Sequence, residues 1–239
     1  MLLELTKPIE SERQTLPQPE AYQALSKVVA EVVVDLVKEK PDACIGFPTG
    51  RTPRRCYEIL SERSQQGAVD WKDVRCFGLD EYVDADEQHS FRTILNNWFY
   101  QNINVSKSNL FNPLFQDDYD ACIKDKGGLD LCILGLGQNG HIAFNEPGTP
   151  LSSWTHSVWL SESTRAANAE FFQGGTIPTR AVTMGLSTIL ASRRIILIVS
   201  GVGKKDILTR AMRGKISSEV PASYLQNHDN VMVLADFEY

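Results

Sequence analysis

Five short, almost uninterrupted apolar runs, each ending at a turn or a polar pair, limit how this 239-residue chain can fold more than any other feature. Residues 43–47, 75–79, 129–134, 194–199 and 231–235 carry side chains such as Ile45, Phe77, Ile133, Leu197 and Val233 without the polar alternation of a half-solvated strand. Such strands need cover on both faces, as in a parallel sheet clad by helices. The intervening segments supply that cover. Leu25, Val28, Val29, Val32, Val33 and Leu36 recur at helical spacing, which predicts a helix over about residues 20–39. Thr52-Pro53 is expected to open another, with a hydroxyl N-cap and proline at the first helical position. The expected fold class is α/β with a mostly parallel central sheet. No repeat, low-complexity tract or long linker divides the chain, so residues 1–239 are expected to form one domain.

Composition narrows the functional classes. A net charge of -6 and a pI near 5.3 argue against a general binder of nucleic acid or of an anionic membrane, both of which need a basic field. A phosphorylated small molecule needs only a local group of donors. Cys44, Cys56, Cys76, Cys122 and Cys132 form no CxxC pair, and the four histidines are scattered, so no metal site is expected. Residues 1–10 lack a basic region followed by a long apolar stretch, and no window reaches membrane-spanning length. A cytoplasmic protein is the expectation.

A parallel sheet places its ligand at the carboxyl ends of its strands. The sharp features of this sequence all follow such ends. Thr49-Gly50-Arg51-Thr52 offers two hydroxyls and backbone donors beside a helix N-terminus, a phosphate cradle or else an ordinary capped loop. Lys204, after Gly201 and Gly203, carries the same two readings, and Arg165 and Arg51 are cations that can join it. Asp80-Glu81 closes the second apolar run, where one of the two carboxylates can act as a proton-transfer base, cap a helix, or hold Mg²⁺. Gly135, Gly137 and Gly140 precede His141, with Glu146 five residues further on. A histidine held this way reads as a proton shuttle whose tautomer the carboxylate fixes. The three glycines also fit a loose dinucleotide fingerprint, but Asn145-Glu146-Pro147-Gly148 breaks the helix which that motif requires.

At these residues the chain resembles the glucosamine-6-phosphate deaminase (isomerase) family, which belongs with the 6-phosphogluconolactonases. The resemblance runs through Pro48-Thr49-Gly50-Arg51-Thr52-Pro53, Leu79-Asp80-Glu81-Tyr82 and Gly140-His141-Ile142-Ala143-Phe144-Asn145-Glu146-Pro147. Phe144-Asn145-Glu146 separates the deaminase branch from the lactonases, in which a Gly-His-Thr-Ala-Ser-Leu-Phe-Pro type of sequence stands there. The resemblance implies a Rossmann-like three-layer α/β/α sandwich. It implies that an amino-sugar 6-phosphate is isomerised and deaminated without metal, nucleotide or organic cofactor. Asp80 would move the proton between C2 and C1, His141 would open the pyranose ring, and Asn139 and Glu146 would orient His141. Thr49, Gly50, Arg51, Thr52, Arg165 and Lys204 would hold the 6-phosphate, and a lid over about residues 161–181 would carry Arg165 inward.

This sequence departs from the family pattern at several points. Arg51 stands where a small residue is usual, and Asn139 replaces the aspartate of many members, so His141 depends more on Glu146. Trp154-Thr155-His156-Ser157-Val158 lacks the basic residues of allosteric members, so no activation by N-acetylglucosamine 6-phosphate is expected, and a monomer or small homo-oligomer fits. Lys126-Gly127-Gly128 and Val220-Pro221-Ala222-Ser223 also resemble galactosamine-6-phosphate deaminases, and His89-Ser90-Phe91-Arg92 lacks the Ser-Tyr-His of many glucosamine-type enzymes. Galactosamine 6-phosphate is therefore the alternative substrate. A lactonase and a non-catalytic sugar-phosphate sensor are the remaining readings, the latter without the basic DNA-reading module such sensors carry.

Overall fold

A computed structural model describes residues 18–172 and 176–239, so the reading of residues 1–10 and the middle of the expected lid lie outside the described residues. The long first helix, α1, spans Gln18–Glu39, and β1 follows at Cys44–Phe47. Next come α2 (Arg54–Gln65), β2 (Arg75–Gly78), β3 (Asp80–Tyr82), α3 (Phe91–Trp98), β4 (Leu110–Phe111) and α4 (Tyr119–Asp125). The second half contains β5 (Leu131–Gly135), β6 (His156–Trp159), α5 (Glu162–Asn168), β7 (Arg180–Thr183), α6 (Leu186–Leu190), β8 (Ile195–Val199), α7 (Lys205–Arg213) and β9 (Val231–Ala235).

The five apolar runs became β1, β2, β5, β8 and β9, joined at one edge by β4 in the order β4-β2-β1-β5-β8-β9. Every pair in this sheet is parallel. Alternate residues face opposite layers. Ile45, Phe47, Leu131, Ile133, Ile196 and Ile198 pack with α1 and α2 on one side. Cys44, Phe77, Cys132, Leu134, Ile195 and Leu197 pack with α4, α6 and α7 on the other. This is the expected three-layer α/β/α arrangement. The chain winds outward from β1 in one direction and from β5 in the other, so a crevice opens between their carboxyl ends.

A second sheet was not anticipated from the sequence. β3, β7 and β6 form an antiparallel set in that order. Leu79 links the two sheets: its N–H donates to Phe47 O (3.3 Å), and its carbonyl accepts from Met184 N (2.7 Å). Asp80 then begins β3 opposite Thr183.

The expected cap on α2 is corrected. Pro53 itself occupies the cap position with helical angles, and no side chain hydrogen-bonds there. Tyr22 of α1 is the physical reason. Its hydroxyl donates between the carbonyls of Arg51 and Thr52 (3.1 and 3.0 Å) and accepts from Arg55 N (3.3 Å), so the helix start is satisfied without Thr52. Among the described residues no helix is long and apolar enough to cross a membrane.

Candidate active site

The loops after β1, β2, β5 and β8, together with α3 and α5, enclose a cavity of about 540 Å³. Thr49, Gly50, Arg51, Thr52, Asp80, Asn139, His141 and Lys204 all line it. Glu146 stands behind His141. Arg165 is not among the lining residues, and its Nε is buried without a hydrogen-bond partner. The cavity is instead lined from α5 by Ser163, Thr164, Ala167 and Asn168.

The turn between β5 and Pro147 explains how His141 is held. Gly137 and His141 clasp the loop through Gly137 N to His141 O (2.9 Å). The imidazole rests on Gly137, where any Cβ would overlap Nε2, Cδ2 and Cε1. At Gly140 φ is +90°, and a Cβ would meet Val220 Cγ1 at 2.9 Å, so only glycine satisfies both backbone and packing. Downstream, Asn145 is fully buried and its amide donates to Ile142 O (3.0 Å) and Met184 O (2.8 Å). That clamp holds Ala143 in the cavity wall at φ +49°, a left-handed conformation uncommon for alanine.

Glu146 is 8% exposed and faces the histidine. Its Oε2 lies 3.6 Å from His141 Nδ1 and accepts from Asn139 Nδ2 at 2.7 Å, while Asn139 Oδ1 accepts from His141 N at 3.2 Å. Burial alone would raise the Glu146 carboxyl. Attraction to His141 and hydrogen bonding from Thr164 and Asn139 outweigh it and hold the group at about 2. Glu146 is thus an ionised acceptor.

The structure separates the two carboxylates at the end of the second run. Glu81 accepts from Tyr82 N, Phe91 N, Arg92 N and Asn112 Nδ2 at 2.7 to 2.9 Å, so it anchors the start of α3. Asp80 has no such cage. It lines the cavity at 7% exposure, and its Oδ1 is buried without a hydrogen-bond partner. Burial, reinforced by the neighbouring charge of Glu81, pushes its carboxyl well above the usual range. A carboxylate in that state is a stronger base than one in water.

Also in the lining, Lys204 Nζ donates to Leu136 O at 2.6 Å. Burial lowers its pKa, the positive charge of Arg51 adds to that, and Asp236 opposes it. Two cations that feel each other's charge therefore line the cavity with Thr49 and Thr52, an arrangement suited to a dianion. Asp236 is fixed by Ser200 Oγ (2.6 Å) and Gly201 N (2.9 Å). Sequence reasoning missed Tyr22, Ser200 and Asp236. Ser200 and Asp236 directly follow β8 and β9, so the strand-end rule that singled out Asp80 could have found them. Tyr22 lies inside a helix and gave no signal. Among the described residues, no three or more His, Cys, Asp or Glu side chains group so as to hold a metal ion.

In this chain a carboxylate-backed histidine, a second buried carboxylate and two cations gather at the switch point of a doubly wound sheet, and the family to which it belongs is one of sugar-phosphate enzymes. It is a member of the glucosamine-6-phosphate isomerases/6-phosphogluconolactonase family, whose model matches residues 17–234. Within that family it is 41% identical over 226 residues to a glucosamine-6-phosphate deaminase of Clostridium perfringens, covering 90% of this chain and 93% of the relative. It is 39% identical to glucosamine-6-phosphate deaminase 1 of Bacillus subtilis, covering 92% and 95%. A solved monomeric glucosamine-6-phosphate deaminase superposes with a TM-score of 0.82 at 39% identity, covering 90% of this chain and 93% of that one. A 6-phosphogluconolactonase of Thermotoga maritima shares the fold at a TM-score of 0.66 and 19% identity, covering 90% and 94%.

Proposed function

We propose that the chain is a deaminating aldose–ketose isomerase that converts glucosamine 6-phosphate and water to fructose 6-phosphate and ammonia. The observation that carries this reading is that a buried Asp80 with an unpartnered Oδ1, a Glu146-backed His141, and the cations Arg51 and Lys204 all line one cavity. The names of the relatives support the gluco over the galacto sugar.

The 6-phosphate occupies the segment of Thr49, Gly50, Arg51 and Thr52 with Lys204. His141 relays a proton from the anomeric hydroxyl to the ring oxygen, which opens the pyranose, while Glu146 and Asn139 hold the imidazole in place. Asp80 takes the C2 proton to give an enolamine and returns it to C1, leaving a ketimine. Water adds to C2 and ammonia departs from the same carbon, leaving the 2-ketose. The electrons only rearrange within the sugar, so the reaction balances without a redox partner. Residues 161–181 act as the lid, and its closure brings Arg165 to the phosphate. The protein works in the cytoplasm as a monomer or small assembly.

Ammonia release measured in parallel with glucosamine 6-phosphate and galactosamine 6-phosphate tests the reading, with Asp80→Asn as control. Turnover of the gluco sugar alone is expected. Release from neither sugar, or release from both sugars that survives in Asp80→Asn, refutes it.

A further inference from the structure

Two tyrosines tie down the carbonyls of the segment between β1 and α2. Tyr57, fully buried in α2, donates from Oη to Pro48 O at 2.5 Å. Half-buried Tyr22 of α1 donates between Arg51 O and Thr52 O at 3.1 and 3.0 Å and accepts from Arg55 N at 3.3 Å. Arg51 O also accepts from Arg54 N at 3.2 Å, so the first two N–H groups of α2 are already spent. Among the described residues, by contrast, the N–H groups of Thr49, Gly50 and Thr52 meet no acceptor, and all three residues line the cavity.

We propose that Tyr22 is a positioning residue for the 6-phosphate: together with Tyr57 it holds the carbonyls of residues 48–52 against the helices, so that the N–H groups of Thr49, Gly50 and Thr52, and not the N-terminus of α2, take the phosphate oxygens. The inference rests on the deaminase/isomerase reading. The planarity of the peptide unit supplies the mechanism. In a trans unit the C=O and the following N–H point opposite ways, and no peptide bond in the described residues is cis. Tying Pro48 O to Tyr57 therefore turns Thr49 N–H away from that ring. Tying Arg51 O to Tyr22 turns Thr52 N–H away from the other. Successive N–H groups held in this way form a concave seat for an anion, whereas a carbonyl turned into the cavity would set its partial negative charge against the dianion and withdraw the adjoining N–H. Tyr22 serves the helix and the loop with one hydroxyl, since the atom that satisfies Arg55 N also fastens the carbonyls.

The test titrates the full chain with inorganic phosphate while the backbone amide signals are followed by NMR, alongside steady-state kinetics with glucosamine 6-phosphate. In the parent, the amides of Thr49, Gly50 and Thr52 are expected to shift on saturation, and those of Arg54 and Arg55 to move little. Tyr22→Phe keeps the ring and removes the hydroxyl. It is expected to weaken phosphate binding and raise KM about tenfold, with a smaller change in kcat, and to diminish the Thr52 response most. Tyr57→Phe should diminish the Thr49 response instead. Parent amides of Arg54 and Arg55 that shift more than those of the loop overturn the proposal. So does a Tyr22→Phe variant that loses stability yet binds phosphate as tightly as the parent, the result a purely structural hydroxyl would give. If that variant does not fold, the parent titration and Tyr57→Phe are judged by the same shifts. The titration needs no turnover, so absence of ammonia release by the parent would defeat the functional reading while the amide shifts still decide the role of Tyr22.

Discussion

The imidazole of His141 lies directly on the α-carbon of Gly137, in the space a side chain there would need. Gly137 does not adopt a left-handed backbone, so alanine would cost nothing conformationally and would act only by displacing the ring. Gly137→Ala is expected to reduce kcat by about 100-fold, since misplacing a catalytic group by about an ångström costs that much. Its effect on stability should stay within the roughly 1–3 kcal/mol of an overpacked site. Kinetics paired with denaturant unfolding check this. Normal turnover in a folded variant would show that the ring can act from elsewhere.

Asp80→Asn should lose activity and gain stability. Removing a general base costs roughly 10²–10⁴ in rate. The native pKa of Asp80 is raised, so the folded protein binds this proton more tightly than the unfolded chain does. Stability from this group is therefore full below the ordinary carboxyl range and falls as pH rises toward the native value. The asparagine variant should be more stable than the parent at pH 8, on the order of 1–3 kcal/mol, with the gap closing near pH 4. In the parent, kcat/KM should rise with pH as Asp80 ionises. Urea unfolding of both proteins at the two pH values is the measurement.

Glu146 titrates in the opposite sense. Its native carboxyl is lowered to about 2 from an ordinary value of 4.5. Its contribution to stability is present above the ordinary value and is lost as pH falls toward 2. Glu146→Gln should flatten the acid side of the stability profile between those limits and slow ring opening more than the later proton transfer. Acid unfolding followed by circular dichroism reads the first effect. A profile as steep as the parent's would mean that other carboxyls carry it.

Arg51 and Lys204 should act on binding more than on chemistry. Lys204→Met and Arg51→Ala are each expected to raise KM about tenfold with smaller changes in kcat. Because their charges interact, the double variant should deviate from the product of the two effects. Added salt should weaken binding in the parent more than in either variant. A KM for Arg51→Ala equal to the parent's would place the guanidinium outside the phosphate contacts.

The central sheet was legible because each of its strands except β4 is apolar on both faces, and only a parallel, helix-covered sheet accommodates such runs. The antiparallel sheet was not. β6 and β7 alternate exposed Ser157 and Trp159 or exposed Arg180 with more buried neighbours over four residues each, too short for a periodic signal. β7 also pairs with β3, about a hundred residues earlier in the chain, a contact that no local pattern signals. At the site, the glycine loop, His141 and Asp80 were readable because their spacing and strand-end position carry the information. The division of labour between Asp80 and Glu81 was not, since it depends on Asn112 and the N–H groups of Phe91 and Arg92, which only the tertiary fold brings to Glu81. The cap on α2 failed for the same kind of reason: Tyr22 reaches it from 30 residues away in sequence.

The seam at Leu79 gives the two sheets different jobs. Asp80 belongs to the antiparallel sheet, whereas the loops bearing Thr49, Arg51 and Lys204 leave strands of the parallel one. Under the proposed function a substrate spans that seam, with C2 at the carboxylate and its phosphate among the cations. On the proposed function, the hydrogen bonds that fix Leu79 between the two sheets set the spacing between base and cations, and with it the length of sugar that reaches both. A phosphorylated sugar one carbon shorter would seat its phosphate and leave its reactive carbon short of the base.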